Sequence, residues 1–158
     1  MTLRRSIVAA AVVLAAPALV SCGFDAPTDQ VYTPAEGVND RSGSVDVLNA
    51  LIVSGEDGSG TLVAALVNND QENDDTLTGV AGAGEDGSAT ISIEGGQVDV
   101  PASELVQLAD DGAVSVDTGR VQAGNFVELQ FSFERGETVT VKAPVVTDEG
   151  DYADVPLP

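Results

Sequence analysis

The side chains that could carry chemistry in this chain of 158 residues are few. It has one cysteine, Cys22, one methionine, Met1, and no histidine. The usual nucleophile and base pairs of hydrolases need a histidine or a free cysteine, and no glycine-rich phosphate loop joins a strand to a helix. Acidic residues are abundant, but no carboxylate pair has an aromatic setting that would mark a pocket. The sequence therefore predicts no catalytic residues and a protein that is not an enzyme.

Cys22 follows a segment with the pattern of a signal peptide. Arg4 and Arg5 precede an apolar stretch from Ile7 to Val20. A basic end, an apolar middle and small residues before the cleavage point are the parts of such a signal. The apolar stretch is shorter than the roughly 20 residues that span a bilayer as a helix. We therefore expect residues 1–21 to be removed.

The sequence Leu19-Val20-Ser21-Cys22 resembles the lipobox of bacterial lipoproteins, in which a diacylglycerol is joined to the cysteine. The alternative is an ordinary secreted protein with a chance cysteine after its signal. Two or more acyl chains anchor a protein stably, whereas one chain does so only marginally. The resemblance thus predicts lipidation of Cys22 with fatty acids such as palmitate. It places the protein on the extracytoplasmic face of the cell membrane, held through the lipid anchor.

The acidic balance limits the partners that the protein can have. The formal net charge is −20 at pH 7, and it becomes −22 once Arg4 and Arg5 leave with the signal peptide. Such a charge excludes nucleic acid as a partner and argues against electrostatic adhesion to anionic lipid. It favours solubility and adaptation to salt. The low lysine content and the Ala, Val, Gly and Asp bias resemble those of actinobacterial proteins.

The mature chain divides into three regions by composition. Residues 22–43 contain Pro27, Pro34 and Gly37 without a sustained period, which indicates a lipidated N-terminus and a linker. Residues 44–147 form one predicted β-domain, and residues 148–158 an acidic, flexible tail.

Short runs rich in Val, Leu, Ile and Thr within that domain predict strands near 45–53, 61–68, 76–80, 89–93, 105–108, 114–116, 127–133 and 138–145. The strand from Val127 to Phe133 alternates apolar and polar residues, and Arg135-Gly136-Glu137 predicts a tight hairpin to the next strand. The sequence Gly-Glu-Asp-Gly-Ser occurs at 55–59 and again at 84–88, and we interpret both copies as hairpin loops.

Several of these segments together resemble the PCuAC family of periplasmic copper chaperones. The resembling stretches are Val45 to Ala50, Ala65 to Asn69, Leu77 to Val80, Val100 to Leu108, Gly124 to Glu134 and Val139 to Val141. The resemblance implies an all-β fold, namely a Greek-key, cupredoxin-like or immunoglobulin-like antiparallel β-sandwich.

This sequence lacks the ligands of that family. The family binds Cu(I) through His and Met side chains, the soft or borderline donors that this ion prefers. In this chain the corresponding positions fall near Ile93 and near Val114 to Val116. No metal ligand carries over, so we expect no cofactor and no copper chaperoning by the family mechanism.

One acidic run is a candidate for a different ion. Asp70, Glu72, Asp74 and Asp75 offer hard oxygen ligands that could hold Ca²⁺ weakly. The run is not an EF-hand, because Asp75 stands where that loop needs glycine and Ala81 where it needs glutamate. The alternative is a solvated loop between two strands.

Two asparagines precede this acidic run. Asn68 and Asn69 at the end of a predicted strand could cap the loop or meet a ligand, and we favour the cap.

We therefore expect a non-catalytic, metal-free accessory or assembly protein with a membrane or envelope protein as its partner. The family resemblance suggests a respiratory oxidase as the complex. The alternative is a lipoprotein that handles copper as the family does or that binds a small ligand or Ca²⁺.

Overall fold

The computed structural model describes residues 36–55, 58–111 and 114–158, and Cys22 lies outside the described residues. In this part of the chain the strands are β1 (Val38–Asp40), β2 (Val45–Ser54), β3 (Ser59–Asn68), β4 (Asp75–Gly82), β5 (Thr90–Ile93), β6 (Val98–Val100), β7 (Leu105–Gln107), β8 (Val114–Asp117), β9 (Phe126–Phe133) and β10 (Thr138–Val146). One helical turn, α1, covers Leu108–Asp111, and 3₁₀ turns cover Gly84–Asp86 and Gly150–Tyr152. None of the helices in the described ranges has the length and apolar character needed to cross a membrane.

The strands form one curled sheet in the order β5-β8-β3-β2-β10-β9-β4-β6, with β1 added to β2 and β7 added to β3. Strand β10 joins the two halves of the sheet. From Thr138 to Pro144 it pairs antiparallel with β9, and at Val145 and Val146 it pairs parallel with β2. This confirms the predicted all-β sandwich, with one parallel pairing where only antiparallel ones were expected.

The hairpin of β9 and β10 shows how the sequence pattern builds the core. The apolar residues of β9 from Val127 to Phe133 alternate inward and are buried, while the polar residues between them are half-buried. Gly136 has φ +86, which favours glycine, and its N–H donates to Phe133 O at 3.0 Å. The predicted hairpin is confirmed.

The interior consists of aliphatic and phenylalanine side chains from both halves of the sheet. The largest of those that are fully buried in this cluster are Phe131, Ile52, Leu62, Leu66, Leu77, Leu108 and Leu129.

The two Gly-Glu-Asp-Gly-Ser copies adopt different structures. The first joins β2 to β3 as a hairpin, in which Gly55 N donates to Ser59 O at 2.8 Å. The second forms a 3₁₀ turn between β4 and β5, which do not pair with each other. There the buried Asp86 carboxylate accepts a hydrogen bond from Glu128 N at 2.9 Å. The hairpin prediction is therefore wrong for the second copy, because a long-range hydrogen bond decides its conformation.

The predicted linker contains an ordered segment. Strand β1 lies within residues 22–43 and pairs with β2 at a bulge where Asn49 has φ +50. The Asn49 side chain accepts from Gly37 N at 3.1 Å, and Asn49 N donates to Asn39 Oδ1 at 2.6 Å. Ser44 donates to Glu137 Oε2 from its N–H at 2.8 Å and from its hydroxyl at 2.6 Å. The described domain thus begins before residue 44, because these local polar contacts fix the short segment.

A second, smaller apolar layer lies on the face of β2 and β3 that points away from the interior, here called the outer face. Leu51 and Val53 are fully buried, yet they do not belong to the interior cluster. Because successive strand residues point to opposite faces, burial of the whole run from Ala50 to Val53 requires a cover on each face. The outer face therefore has its own cover.

Residues 148–158, here called the strap, lie over the outer face. Thr61 is the cross-strand partner of Val53, and its hydroxyl donates to Pro156 O. Tyr152 and Val155 are half-buried, and Val155 N donates to Tyr152 O at 3.1 Å. The structure thus differs from the expectation of a flexible tail, because Tyr152 and Val155 are half-buried and Pro156 accepts a hydrogen bond, while Leu157 and the carboxylates of the segment stay exposed.

Candidate functional site

Asn68, at the end of β3, organises the acidic loop that follows it. Its side chain is buried, and Nδ2 donates to Asn73 O and to Val100 O, each at 3.0 Å. Its Oδ1 accepts from Asp70 N, also at 3.0 Å. The preferred interpretation of Asn68 as a cap is confirmed, since these hydrogen bonds tie the loop to the end of the sheet.

The Asp70 carboxylate is occupied by partners from the protein itself. It accepts from Glu72 N at 3.0 Å and from Arg135 Nη1 at 2.7 Å, and the Asn73 amide adds further hydrogen bonds. The Glu72 N–H and then the Arg135 guanidinium hold the pKa of this carboxyl well below its usual range. Asp70 is therefore a poor candidate for a cation ligand, because a guanidinium already neutralises it.

The other carboxylates of the Ca²⁺ candidate have separate surroundings. Asp74 accepts from Ala102 N at 2.9 Å, while Asp75 is buried and accepts from Thr76 N at 2.8 Å. Glu72 is exposed. Within residues 36–55, 58–111 and 114–158, no group of three or more His, Cys, Asp or Glu side chains could hold a metal ion. The loop geometry thus favours the structural interpretation of this acidic run.

The two segments that the sequence resemblance places at the copper-ligand positions of the PCuAC family lie on neighbouring strands. Ile93 of β5 pairs with Val114 of β8, and Val116 pairs with the preceding apolar residue of β5. Val114 and Val116 are fully buried in the interior, and Ile93 packs against it. The structure therefore brings these positions together, but their side chains supply packing and no donor atoms.

A pocket of about 340 Å³ opens beside these strands, at the edge of the strap. Its lining consists of Thr61, Ser92, Ile93, Glu94, Ser115 and the strap residues Pro156, Leu157 and Pro158. The volume lies near the lower end of the range for small-ligand pockets. Ser92 and Ser115 face each other across the strand pair, with 2.6 Å between their hydroxyl oxygens. The pocket combines hydroxyl groups, one carboxylate and apolar rings, and it contains no aromatic side chain.

The pocket and the acidic loop lie at opposite ends of β3. Thr61 is near the start of this strand and Asn68 is its last residue, a separation of about 24 Å at the usual rise of a strand. Glu36, the first described residue, lies beside Tyr152 of the strap. Burial raises the pKa of the Tyr152 phenol, and the Glu36 carboxylate raises it further through its charge and hydrogen bonding.

Positive side chains are engaged away from the pocket. Among the described residues the ion pairs are Arg41 with Asp46 at 2.8 Å, Arg120 with Glu85 at 2.9 Å and with Asp86 at 3.4 Å, and Arg135 with Asp70 at 2.7 Å. Lys142 lies over the Phe126 ring, 5.6 Å from its centroid. The pocket lining includes Glu94 and no cation. The pocket end of the domain therefore carries uncompensated negative charge.

Comparison with known proteins supports the fold and no closer relationship. No family model matches this chain, and no curated protein matches it. It is similar to the apo PCuAC domain from PmoF1, with a TM-score of 0.58 and 21% identity over 70% of this chain and 99% of that one. The copper-bound PCuAC domain from PmoF2 has a TM-score of 0.58 and 20% sequence identity, and the match covers 70% of this chain and 98% of that one. The apo PmoF2 PCuAC domain has a TM-score of 0.57 and 18% sequence identity, and the match covers 72% of this chain and 98% of that one. The PCuAC-like fold expected from the sequence is thus confirmed.

Sequence reasoning missed the pocket and the strap. Ser92, Ser115 and Thr61 are ordinary strand residues, and nothing in their spacing marks them as neighbours. One usable signal was the uninterrupted apolar run from Ala50 to Val53, since a strand with a single wet face would alternate. That run indicates a cover on both faces, and the apolar residues of the strap are the cover.

Proposed function

We propose that this chain is an extracytoplasmic lipoprotein, anchored to the cell membrane through Cys22, that serves a membrane complex as a non-catalytic and metal-free accessory or assembly subunit. The proposal is supported by a PCuAC-like fold in which the positions that the sequence resemblance aligns with the copper ligands of the family carry hydrocarbon side chains. Ile93, Val114 and Val116 occupy those positions, and the two valines are fully buried. A domain that keeps this fold without copper-donor side chains still has a surface through which it can bind a partner protein.

The anchoring part of the proposal rests on the sequence. The basic and apolar N-terminal segment, followed by Leu-Val-Ser-Cys, has the pattern of a lipoprotein signal, and the amino-acid bias suggests an actinobacterial source. A lipid anchor confines the domain near membrane proteins, which raises its effective concentration for a partner there. A respiratory oxidase is the partner complex that the family resemblance suggests.

The experiment is crosslinking in intact membranes, followed by affinity purification of the tagged full-length chain and quantitative mass spectrometry. We expect one membrane complex to be recovered at fixed stoichiometry. The matched control is Cys22→Ser, which removes the lipid attachment point and leaves the domain unchanged, and we expect it to lose the crosslinked complex. Recovery of the wild-type chain alone, at the background level of unrelated lipoproteins, would overturn the proposal.

Copper handling is the second candidate, because one of the similar structures is a copper-bound PCuAC domain. Cu(I) titration against a competing chelator separates the two functions. We expect no binding beyond that of the chelator, since the described residues contain no His, Met or Cys. One equivalent of tightly held copper would instead establish a copper protein with an unfamiliar donor set.

The Ca²⁺ alternative has a calorimetric test. We expect no heat of binding on titration with Ca²⁺, because Arg135 already pairs with Asp70. A saturable signal that Asp74→Asn abolishes would support the cation site and contradict the metal-free assignment.

A further inference from the structure

We propose that the groove across β3, β8 and β5, which contains the pocket, is a docking site for an extended, proline-containing and basic segment of the membrane partner, and that the strap occupies this groove until the partner displaces it. This inference rests on the proposed function, because it names the surface through which an accessory subunit would bind.

The strap shows what kind of chain the groove accepts. Its last three residues, Pro156 to Pro158, line the groove after the turn that ends at Val155, and two of the three are prolines. Proline has no N–H to donate, so such a segment contacts a surface through its rings and its carbonyl oxygens. Thr61 supplies a matching donor, since its buried hydroxyl donates to Pro156 O. A segment of this chain is thus already bound where a partner segment would bind.

The groove also has room that the strap does not fill. The pocket of about 340 Å³ lies between the strap and the strands, with the hydroxyls of Ser92 and Ser115 exposed or half-buried in its wall. The backbone of a longer or bulkier segment could reach these hydroxyls, which now bond only to each other among the described residues. The strap therefore fills only part of the groove.

Charge makes the strap a weak occupant as well. Its four carboxylates, Asp148, Glu149, Asp151 and Asp154, are exposed, and no ion pair joins them to an Arg or Lys in the part of the chain that the structure describes. Glu94 in the pocket wall and Glu36 beside Tyr152 add to the negative charge of this end of the domain. A basic segment of the same shape would be attracted to this end, so the surface selects a positively charged partner.

The probe that tests the groove is a fluorescein-labelled peptide, Lys-Lys-Val-Pro-Leu-Pro-Lys-Lys, which keeps the strap sequence and reverses its charge. Binding is measured by fluorescence anisotropy to the lipidated full-length protein in nanodiscs of phosphatidylcholine, a neutral lipid that does not attract the peptide. A peptide with Glu in place of each Lys tests charge. A peptide with Ala in place of each Pro tests shape. We expect both to bind at least ten-fold more weakly than the probe.

Variants of the strap and of the groove should act in opposite directions. Leu157→Ala removes a strap contact and leaves the groove intact, so the competent open state becomes more populated and the probe binds about five-fold more tightly. Leu105→Ala is the matched control, because this leucine is also exposed and lies on β7 outside the groove. We expect this variant to bind the probe with the affinity of the wild type. Ser92→Trp fills the pocket from an exposed position, and Glu94→Lys reverses the charge of its wall. Each variant should lower the affinity for the probe at least ten-fold.

The docking proposal would be overturned if the probe bound wild type and Leu157→Ala with equal affinity, or if the Lys and Glu peptides bound equally well. The two proposals fail separately. If the crosslinked complex is recovered as well from Ser92→Trp as from wild type and the probe does not bind, the groove is wrong and the accessory function stands. If the peptides and variants behave as described but no complex is recovered from membranes, the groove is a peptide site and the accessory function falls.

Discussion

Val53 lies on the outer face beneath the strap, and its truncation measures how firmly the strap covers that face. Val53→Ala removes two methyl groups from a side chain that is fully buried. At about 0.8 kcal/mol for each buried group, with a further cost for the cavity that remains, the free energy of unfolding should fall by about 2 kcal/mol. If residues 148–158 were a free tail, this side chain would face water and the change would stay within about 0.5 kcal/mol.

The assay is urea denaturation followed by far-UV circular dichroism, since the chain has no tryptophan for fluorescence. Hydrogen exchange of the Val155 amide should quicken in the variant, because this N–H is held within the strap. Leu105→Ala, at a side chain that is 54% exposed, is the control and should change stability by no more than about 0.5 kcal/mol. A Val53→Ala variant as stable as this control would refute the covered outer face.

Three further predictions concern polar groups. Ser44 holds the pKa of Glu137 below its usual value of 4.5, so this carboxylate stabilises the fold above that pH and the contribution is lost as the pH falls through the lowered pKa. Glu137→Gln should therefore cost about 1 kcal/mol at pH 7 by urea denaturation, and the difference should shrink as the pH falls below 4.5 and through the lowered pKa. The raised pKa of Tyr152 means that its neutral phenol stabilises the fold fully below pH 10, a contribution lost as the pH rises through the folded value. Tyr152→Phe should flatten the alkaline fall in melting temperature between pH 9 and pH 11. Asn68→Ala leaves three backbone groups without their partner and should cost about 2 to 3 kcal/mol, measured by the same denaturation assay.

The longer strands could be predicted because each carries its own signal. Strands β9 and β10 alternate apolar and polar residues, and Gly136 marks the turn between them. Strand β1 could not be predicted, since its three residues are held by Asn49, whose side chain acts only once β2 has bulged. The second Gly-Glu-Asp-Gly-Ser copy could not be distinguished from the first, because the difference comes from Glu128, more than forty residues away.

The candidate site was only partly accessible from the sequence. The resemblance aligned Ile93 with one ligand position and Val114 to Val116 with the others, and the structure pairs these segments. The acidic composition of residues 148–158 suggested a flexible tail. That prediction considered only the charged residues and not the apolar residues Tyr152, Val155 and Leu157. Whether those residues find a surface depends on the outer face of β2, which only the folded sheet creates.

Native mass spectrometry of the tagged chain, extracted in detergent from its own membranes, measures the lipid anchor, the copper content and the bound partner together. We expect a chain that begins at Cys22, carries the mass of a diacylglycerol anchor, holds no copper and stays bound to a membrane partner at fixed stoichiometry. A copper-loaded chain without a partner, or a chain that lacks the lipid mass at Cys22, would contradict this expectation.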